Sequence, residues 1–170
     1  MVKPADVPAL EQEKRASVGQ LLLKCARLLD ERAVARVNRA AGQPLIRPAH
    51  TKLLPHIDFA GTRLGDIARR IGITKQAVGQ LVAELGEMGV VELLPDPKDR
   101  RAKLVRFTSK GTAAIRHGLD VLRAIEAELG ARIGEGQMRT LHRTLLALLP
   151  ALEELDQPDR PQRPPPGEPK

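Results

Sequence analysis

Apolar side chains recur along this chain at helical spacing, and the spacing breaks at a few glycines and prolines. Val18, Leu21, Leu22, Cys25, Leu28 and Leu29 follow the i, i+3, i+4, i+7 pattern of one helix face. They predict an amphipathic helix over 16–41, which Gly42 and Pro44 end. Arg47-Pro48-Ala49-His50 opens a shorter helix running to about residue 57. Pro48 suits its first turn, and Pro55 should kink or stop it near the end. Gly61-Thr62 reads as a turn and an N-cap. Leu64, Ile67, Ala68 and Ile71 then form one face of a third helix that Gly72 closes. Thr74 caps a fourth helix, with Ala77, Val78, Leu81, Val82, Leu85 and Met88 as its buried face and Gly89 at its end. Two helices joined by a tight glycine link, the second opening on a capping threonine, match a helix-turn-helix.

The period then changes. Val90 to Leu94 predicts a short strand, and Lys103 to Thr108 a second one in which apolar and polar residues alternate. Between them, residues 95–102 are polar, carry Pro95 and Pro97, and are dense in charge. A strand, a loop and a strand directly after a helix-turn-helix predict a β-wing. Helical spacing returns with Ile115, Leu119, Leu122, Ile125, Leu129 and Ile133. It breaks at Gly134-Glu135-Gly136 and resumes with Met138, Leu141, Leu145, Leu148, Leu149, Leu152 and Leu155. Residues 158–170, Pro-rich and aperiodic, are expected to be a disordered tail, and residues 1–15 a flexible N-terminus. The predicted fold class is mainly α with a small β-wing. A winged lobe over about 44–111 is flanked by helices over about 16–41 and 109–156, all within one domain spanning 16–157.

Composition narrows this picture. Only 1% of the 170 residues are aromatic, with two Phe and no Trp or Tyr, against 42% hydrophobic overall. The core must be aliphatic, and stacking of bases on aromatic platforms is disfavoured. No run of about 18 apolar residues predicts a membrane span, and the first ten residues lack a signal peptide's apolar stretch. The single Cys25 excludes an intrachain disulfide framework. These features fit a cytoplasmic location. The net charge is +7, and it is unevenly spread. Residues 1–60 and 61–110 each hold ten basic and six acidic side chains, whereas residues 111–170 hold eight and nine. Positive charge before residue 111 is the footprint of a polyanion partner, although an Arg-rich solvated surface gives the same count.

The order of elements and the residues themselves resemble the MarR family of bacterial winged-helix transcriptional regulators. The resemblance runs from Gly61-Thr62-Arg63-Leu64 through Ile67-Ala68-Arg69-Arg70-Ile71-Gly72-Ile73-Thr74-Lys75-Gln76-Ala77-Val78, Leu81-Val82-Ala83-Glu84-Leu85 and Gly89-Val90-Val91-Glu92. It ends with Asp96-Pro97-Lys98-Asp99-Arg100-Arg101-Ala102-Lys103-Leu104-Val105-Arg106 and Thr108-Ser109-Lys110-Gly111. The wing motif D-P-x-D-R-R, followed by a strand and T-x-x-G, is its most specific part. The resemblance implies a homodimer whose first and last two helices pack against their symmetry mates. Its two winged lobes would straddle a pseudo-palindromic operator on double-stranded DNA. A ligand-responsive repressor, released by a small-molecule effector, is the implied function. Independently, the leucine-heavy terminal helices carry more apolar surface than the winged lobe can cover, and a dimer interface is a natural place to bury it.

A recognition helix meets base edges with its N-terminal residues. Here these are Thr74, Lys75, Gln76 and, one turn on, Gly79 and Gln80. Glutamine can bond adenine twice, and lysine can reach guanine acceptors or a phosphate. Gln76 and Gln80 are the candidates for bases; Thr74 and Lys75 are the candidates for phosphates, with Thr74 also a cap. Gly79 costs roughly 1 kcal/mol relative to alanine inside a helix, and close approach of backbone to duplex would account for it. Many members of the family carry a small hydroxyl residue there and an arginine where this chain has Gln80. On the wing, Lys98, Arg100 and Arg101 can reach the minor groove or its phosphates. The resemblance gives Asp99 the role of positioning an arginine, Arg101, through an ion pair. Lys103, Arg106, Arg69 and Arg70 could add backbone contacts.

Other chemistry finds less support. Cys25 shares the apolar face of its helix, which favours a buried structural thiol over a redox-sensing one. Members of the family that sense oxidants through such a cysteine typically pair it with tyrosines, and this chain has none. His50 and His56 lie, by resemblance, close to where family members bind small effectors. With Asp58, His117 and His142 they show no strong metal-ligand spacing, so no metal or cofactor is expected. No nucleophile elbow, phosphate-binding glycine loop or H-E-x-x-H motif points to an enzyme. A winged helix adapted to dock protein is the alternative, and the basic wing argues against it.

Overall fold

The computed structural model describes residues 7–155, apart from the side chains of Arg100 and Arg101. In chain order its elements are α1 (Val7–Ala16), α2 (Val18–Ala40), α3 (Pro48–Leu53), a 3₁₀ turn (Leu54–His56), β1 (Thr62–Arg63), α4 (Leu64–Ile71), α5 (Lys75–Glu87), β2 (Val91–Asp96), β3 (Asp99–Phe107), α6 (Ser109–Ile133) and α7 (Glu135–Leu155). The chain divides into two compact units, with the boundary between Arg123 and Ala124 inside α6. The Pro-rich segment over 158–170 lies outside the described residues.

Most elements begin and end where local chemistry directs. Ser17 caps α2 by accepting a hydrogen bond from the Gln20 N–H at 3.3 Å. Gly72 closes α4 with φ of 76°, a left-handed conformation that glycine adopts without steric cost. Thr74 caps α5, its hydroxyl accepting from the Ala77 N–H at 3.2 Å. Pro55 tightens the end of α3 into the 3₁₀ turn, because it has no N–H to continue the α-helical ladder.

Three details differ from the sequence-based expectation. No element is expected before residue 16, yet a helix, α1, forms from Val7; it buries no residue, so it had no apolar periodicity to reveal it. Thr62 is expected to cap the third helix, but it is a strand residue, and Arg63 occupies the cap position without a side-chain bond. The Thr62 hydroxyl instead accepts from the Asp58 N–H at 2.8 Å and donates to the Asp58 carboxylate at 3.0 Å. The polar segment 95–102 is expected to be a loop, and most of it is drawn into the hairpin.

The sheet has three antiparallel strands in the order β1-β3-β2. β2 and β3 pair regularly from Val91↔Phe107 to Pro95↔Lys103, and the register then shifts so that Asp96 faces Asp99. Arg100, Arg101 and Ala102 therefore have no partner on β2, and the local ladder is bulged, which increases twist at the tip. The sheet, α3, α4 and α5 share one core of Leu53, Ile57, Ile67, Ala68, Val78, Val82, Leu85, Val91, Val105 and Phe107. In the second unit, Gly134 with φ of 96° joins α6 to α7, and its carbonyl accepts from the Gln137 and Met138 N–H groups. Ile125 is buried there, while Leu129, Ile133, Leu141, Leu145, Leu146, Leu149, Leu152 and Leu155 are exposed.

The start of α6 is pinned to the base of the wing. The Thr108 N–H donates to the Val90 carbonyl at 3.1 Å, its hydroxyl donates to the Gly89 carbonyl at 2.6 Å, and the same hydroxyl accepts from the Gly111 N–H at 2.9 Å. This brings Gly111 so close that an added Cβ would sit 1.8 Å from the Val90 oxygen. The clash is with backbone, so it cannot be relieved by a rotamer. Gly111→Ala should destabilise the fold by about 3 kcal/mol or more, at the upper end for overpacking; the urea unfolding midpoint measures it.

Candidate nucleic-acid interface

Helix α5 is oriented from inside. Val78, Val82 and Leu85 are almost wholly buried and fix which side of the helix faces the core. The opposite side then carries Lys75, Gln76 and Gln80 exposed, with Thr74 exposed at the cap. The residues expected to contact DNA are thus brought together on the first two turns. Gly79 is half-buried among them, and a Cβ added there would meet nothing within 4 Å. Packing within the chain does not require this glycine.

The wing stands beside α5. Lys98 at its tip and Lys103 on β3 are exposed. The expected ion pair between Asp99 and Arg101 involves a side chain outside the described residues. A different carboxylate holds the wing, one that the sequence-based expectation does not include. Asp96 is buried, and its Oδ2 accepts from Arg63 Nε at 2.6 Å and pairs with Arg63 Nη2 at 2.5 Å. Its Oδ1 accepts from the Lys98 N–H at 2.8 Å. The Lys98 N–H, and after it Arg63, hold the Asp96 carboxyl below the usual carboxylate range against the opposing effect of burial. Asp96 therefore ties the wing turn to the residue that opens α4. Its turn contact is local and follows from the Asp96-Pro97-Lys98 order, in which an aspartate commonly bonds the backbone two residues on. Its partner Arg63 is 33 residues away and leaves no local signal.

A depression of about 430 Å³ lies where α4, the start of α5 and the wing meet; Arg63, Arg69, Lys75 and Lys103 line it with a single carboxylate, Asp66. Arg63 is paired with Asp96 and Arg69 with Asp66, so Lys75 and Lys103 are the cations of this depression best suited to a phosphate oxygen. Of the expected backbone contacts, Arg69 pairs with Asp66 at 2.8 Å, and two others are engaged outside the depression. Arg70 bonds the His56 carbonyl at 3.1 Å and the Asp58 carboxylate at 3.3 Å. Arg106 pairs across the hairpin with Glu92 at 2.9 Å.

The remaining candidates separate. His50 is buried, and its Nε2 lies 2.8 Å from Glu84 Oε2; His56 is half-buried in the 3₁₀ turn. Cys25, expected to be a buried thiol, is exposed. Of the apolar stripe it belongs to, Val18 and Leu21 are also exposed, whereas Leu22, Leu28 and Leu29 are half-buried, so the stripe is only partly covered among the described residues. Among the described residues no group of three or more His, Cys, Asp or Glu is placed to hold a metal ion, and no helix is long and apolar enough to cross a membrane.

A helix-turn-helix followed by a basic hairpin defines a winged-helix protein. Residues 46–102, the winged segment, match the MarR family. The chain is 33% identical over 91 residues to the transcriptional activatory protein BadR of Rhodopseudomonas palustris. That match takes in 52% of this chain and 50% of BadR, so about half the length of the relative is spanned. The fold is similar to apo MarR from E. coli, with a TM-score of 0.65 and 22% identity over 78% of this chain and 96% of that one. It is also similar to the repressor CouR bound to a 23-mer DNA duplex, with a TM-score of 0.59 and 17% identity over 88% and 99%. These proteins are transcriptional regulators, not enzymes, and the fold is that of a MarR-type winged helix.

The Asp96 tie has a pH signature. A carboxylate whose folded pKa is depressed contributes its stability above the ordinary value near 4 and loses it as pH falls through the lower folded value. As pH falls below about 4, Asp96→Asn should lose less stability than the unaltered chain. At pH 7 it should expose the wing to cleavage, which limited proteolysis would locate between residues 95 and 103.

Proposed function

We propose that this protein is a sequence-specific double-stranded DNA-binding regulator of transcription that acts as a homodimer on a pseudo-palindromic operator. The observation that carries this reading is the exposed row Thr74, Lys75, Gln76 and Gln80 on α5 beside the cation-lined depression and the wing. In this reading residues 44–111 form the DNA-binding lobe. Gln76 and Gln80 read base edges; Thr74, Lys75 and Lys103 serve phosphates; Lys98, Arg100 and Arg101 reach the minor groove from the wing. Asp99 supports the wing alongside Asp96. CouR, of similar fold, is bound to a DNA duplex, which supports double-stranded DNA as the partner of the lobe. The exposed leucines of α2, α6 and α7 support dimerisation through helices over 16–41 and 109–156, since apolar surface of that extent is stabilised by burial.

The sign of regulation is repression, released by a small effector near His50 and His56 that binds one spacing of the lobes better than another. The description of BadR as activatory favours activation as a second reading. A promoter–reporter fusion, with and without the protein, decides between them.

Gln76→Ala should relax sequence preference by about 1–3 kcal/mol at one base position while leaving nonspecific binding almost unchanged. Lys103→Ala should weaken binding to every duplex and lower the salt slope by about one. Titrations of labelled duplexes at several salt concentrations measure both. Gly79→Ala should raise thermal stability by about 1 kcal/mol yet weaken operator binding; unchanged operator affinity would show that close backbone approach is not the reason for the glycine.

A further inference from the structure

We propose that Glu84 is the positioning residue of the recognition helix: it clamps α5 to the segment that opens α3, and so sets how the exposed face of α5 meets base edges. The inference rests on the reading of α5 as the helix that reads DNA. Glu84 follows Gln80 by four residues and Gln76 by eight, so the three share one stripe of the helix. The clamp grips the C-terminal end of the stripe whose N-terminal end carries the base-reading candidates.

The grip comes from two residues of the α3 entry. Arg47 Nη2 lies 2.5 Å from Glu84 Oε1 and 2.6 Å from Oε2, and Arg47 Nε lies 3.2 Å from Oε2. His50 Nε2 adds a contact to Oε2 at 2.8 Å. A forked guanidinium on a carboxylate fixes orientation as well as distance. The imidazole is buried and its Nδ1 has no hydrogen-bond partner among the described residues, so its polar contact there is the one to Glu84. Arg47 first, and then His50, hold the Glu84 carboxyl below its usual range, which keeps it the acceptor for both.

The entry segment is itself strapped to α2. Asn38 Oδ1 accepts from the Leu45 and Ile46 N–H groups at 2.8 and 2.9 Å, and its Nδ2 donates to the Ile46 carbonyl at 2.8 Å. The Thr51 hydroxyl donates to Asp30 at 2.6 Å. A continuous polar path therefore runs from α2 through residues 45–51 to α5. Half-exposed ion pairs add little to stability, and α5 keeps its core face and its Thr74 cap without this one. Loss of the clamp should then free the rotation and tilt of the helix rather than unfold it. Base contacts, which demand fixed geometry, should suffer before phosphate contacts do.

The test starts with a duplex enriched from a random pool by the unaltered protein and a scrambled duplex of the same composition. Affinities for both are measured for the unaltered chain, Arg47→Ala, Glu84→Gln, Glu84→Ala and the double variant Arg47→Ala/Glu84→Ala, with circular dichroism melting to establish folding. Each single variant should lower discrimination between the two duplexes about tenfold while holding the scrambled duplex within about twofold and leaving the salt slope unchanged. The double variant should be no worse than the single ones, because both act through one contact. If Glu84→Ala does not fold, Glu84→Gln and Arg47→Ala carry the comparison. Discrimination unchanged in folded variants, or losses that add in the double variant, overturns the clamp and leaves DNA binding standing. A lower salt slope for Arg47→Ala means that Arg47 meets phosphate directly, and this also overturns it. A pool that yields no enriched duplex overturns the DNA reading and the clamp together.

Discussion

Val78, Val82 and Leu85 project from one side of α5 into an interior built almost wholly of aliphatic side chains, and the exposed chemistry of the lobe depends on that seating. Once these three are buried, the side of the helix that carries Gln76 and Gln80 faces outward, and only small rotations and tilts are left open. The same interior holds Val91, Val105 and Phe107 of the sheet, so the hairpin is placed by the core that places the helix. A shift of that core would move both halves of the candidate interface together. With Phe107 the only aromatic residue in the core, precise interlocking of branched side chains must supply the rigidity.

Around this apolar centre, polar ties set the finer geometry. Asp96 joins the wing turn to Arg63 at the mouth of α4, and Glu84 joins α5 to Arg47 and His50. Both use a forked arginine on a carboxylate that also accepts a further N–H. Thr108 and Gly111 do comparable work between the wing base and α6. The half-exposed Glu84 pair costs little to break in stability terms, and each of these contacts removes a rotation that burial alone leaves open. The lobe is thus held in two grades: aliphatic burial decides which faces are in, and charge-assisted hydrogen bonds decide the angles.

Outside the lobe the balance is reversed. The leucines of α7 and the later part of α6 are largely exposed, although their spacing is as regular as that of any core helix. The stripe on α2 that contains Cys25 is exposed at Val18, Leu21 and Cys25 and half-buried at Leu22, Leu28 and Leu29. Periodicity states that a face is apolar; it does not state what covers it. Among the described residues the coverage is incomplete, and Cys25 is exposed rather than buried.

Local spacing determined much of this protein. The faces of α2, α4, α5, α6 and α7, the Gly72 and Thr74 caps, and the two wing strands all follow from interactions within about four residues, which the sequence states directly. The exposed row of α5 was legible for the same reason. The short strand β1 was not, because two residues become a strand only when Val105 and Leu104 pair with them. Helix α1 was not, because it buries nothing. The roles of Asp96 and Glu84 were decided by partners 33 to 37 residues away. Such pairs form only after the core has brought α3, α4, α5 and the wing together. A charged residue's partner is a fact of tertiary packing, whereas its helix face is a fact of sequence.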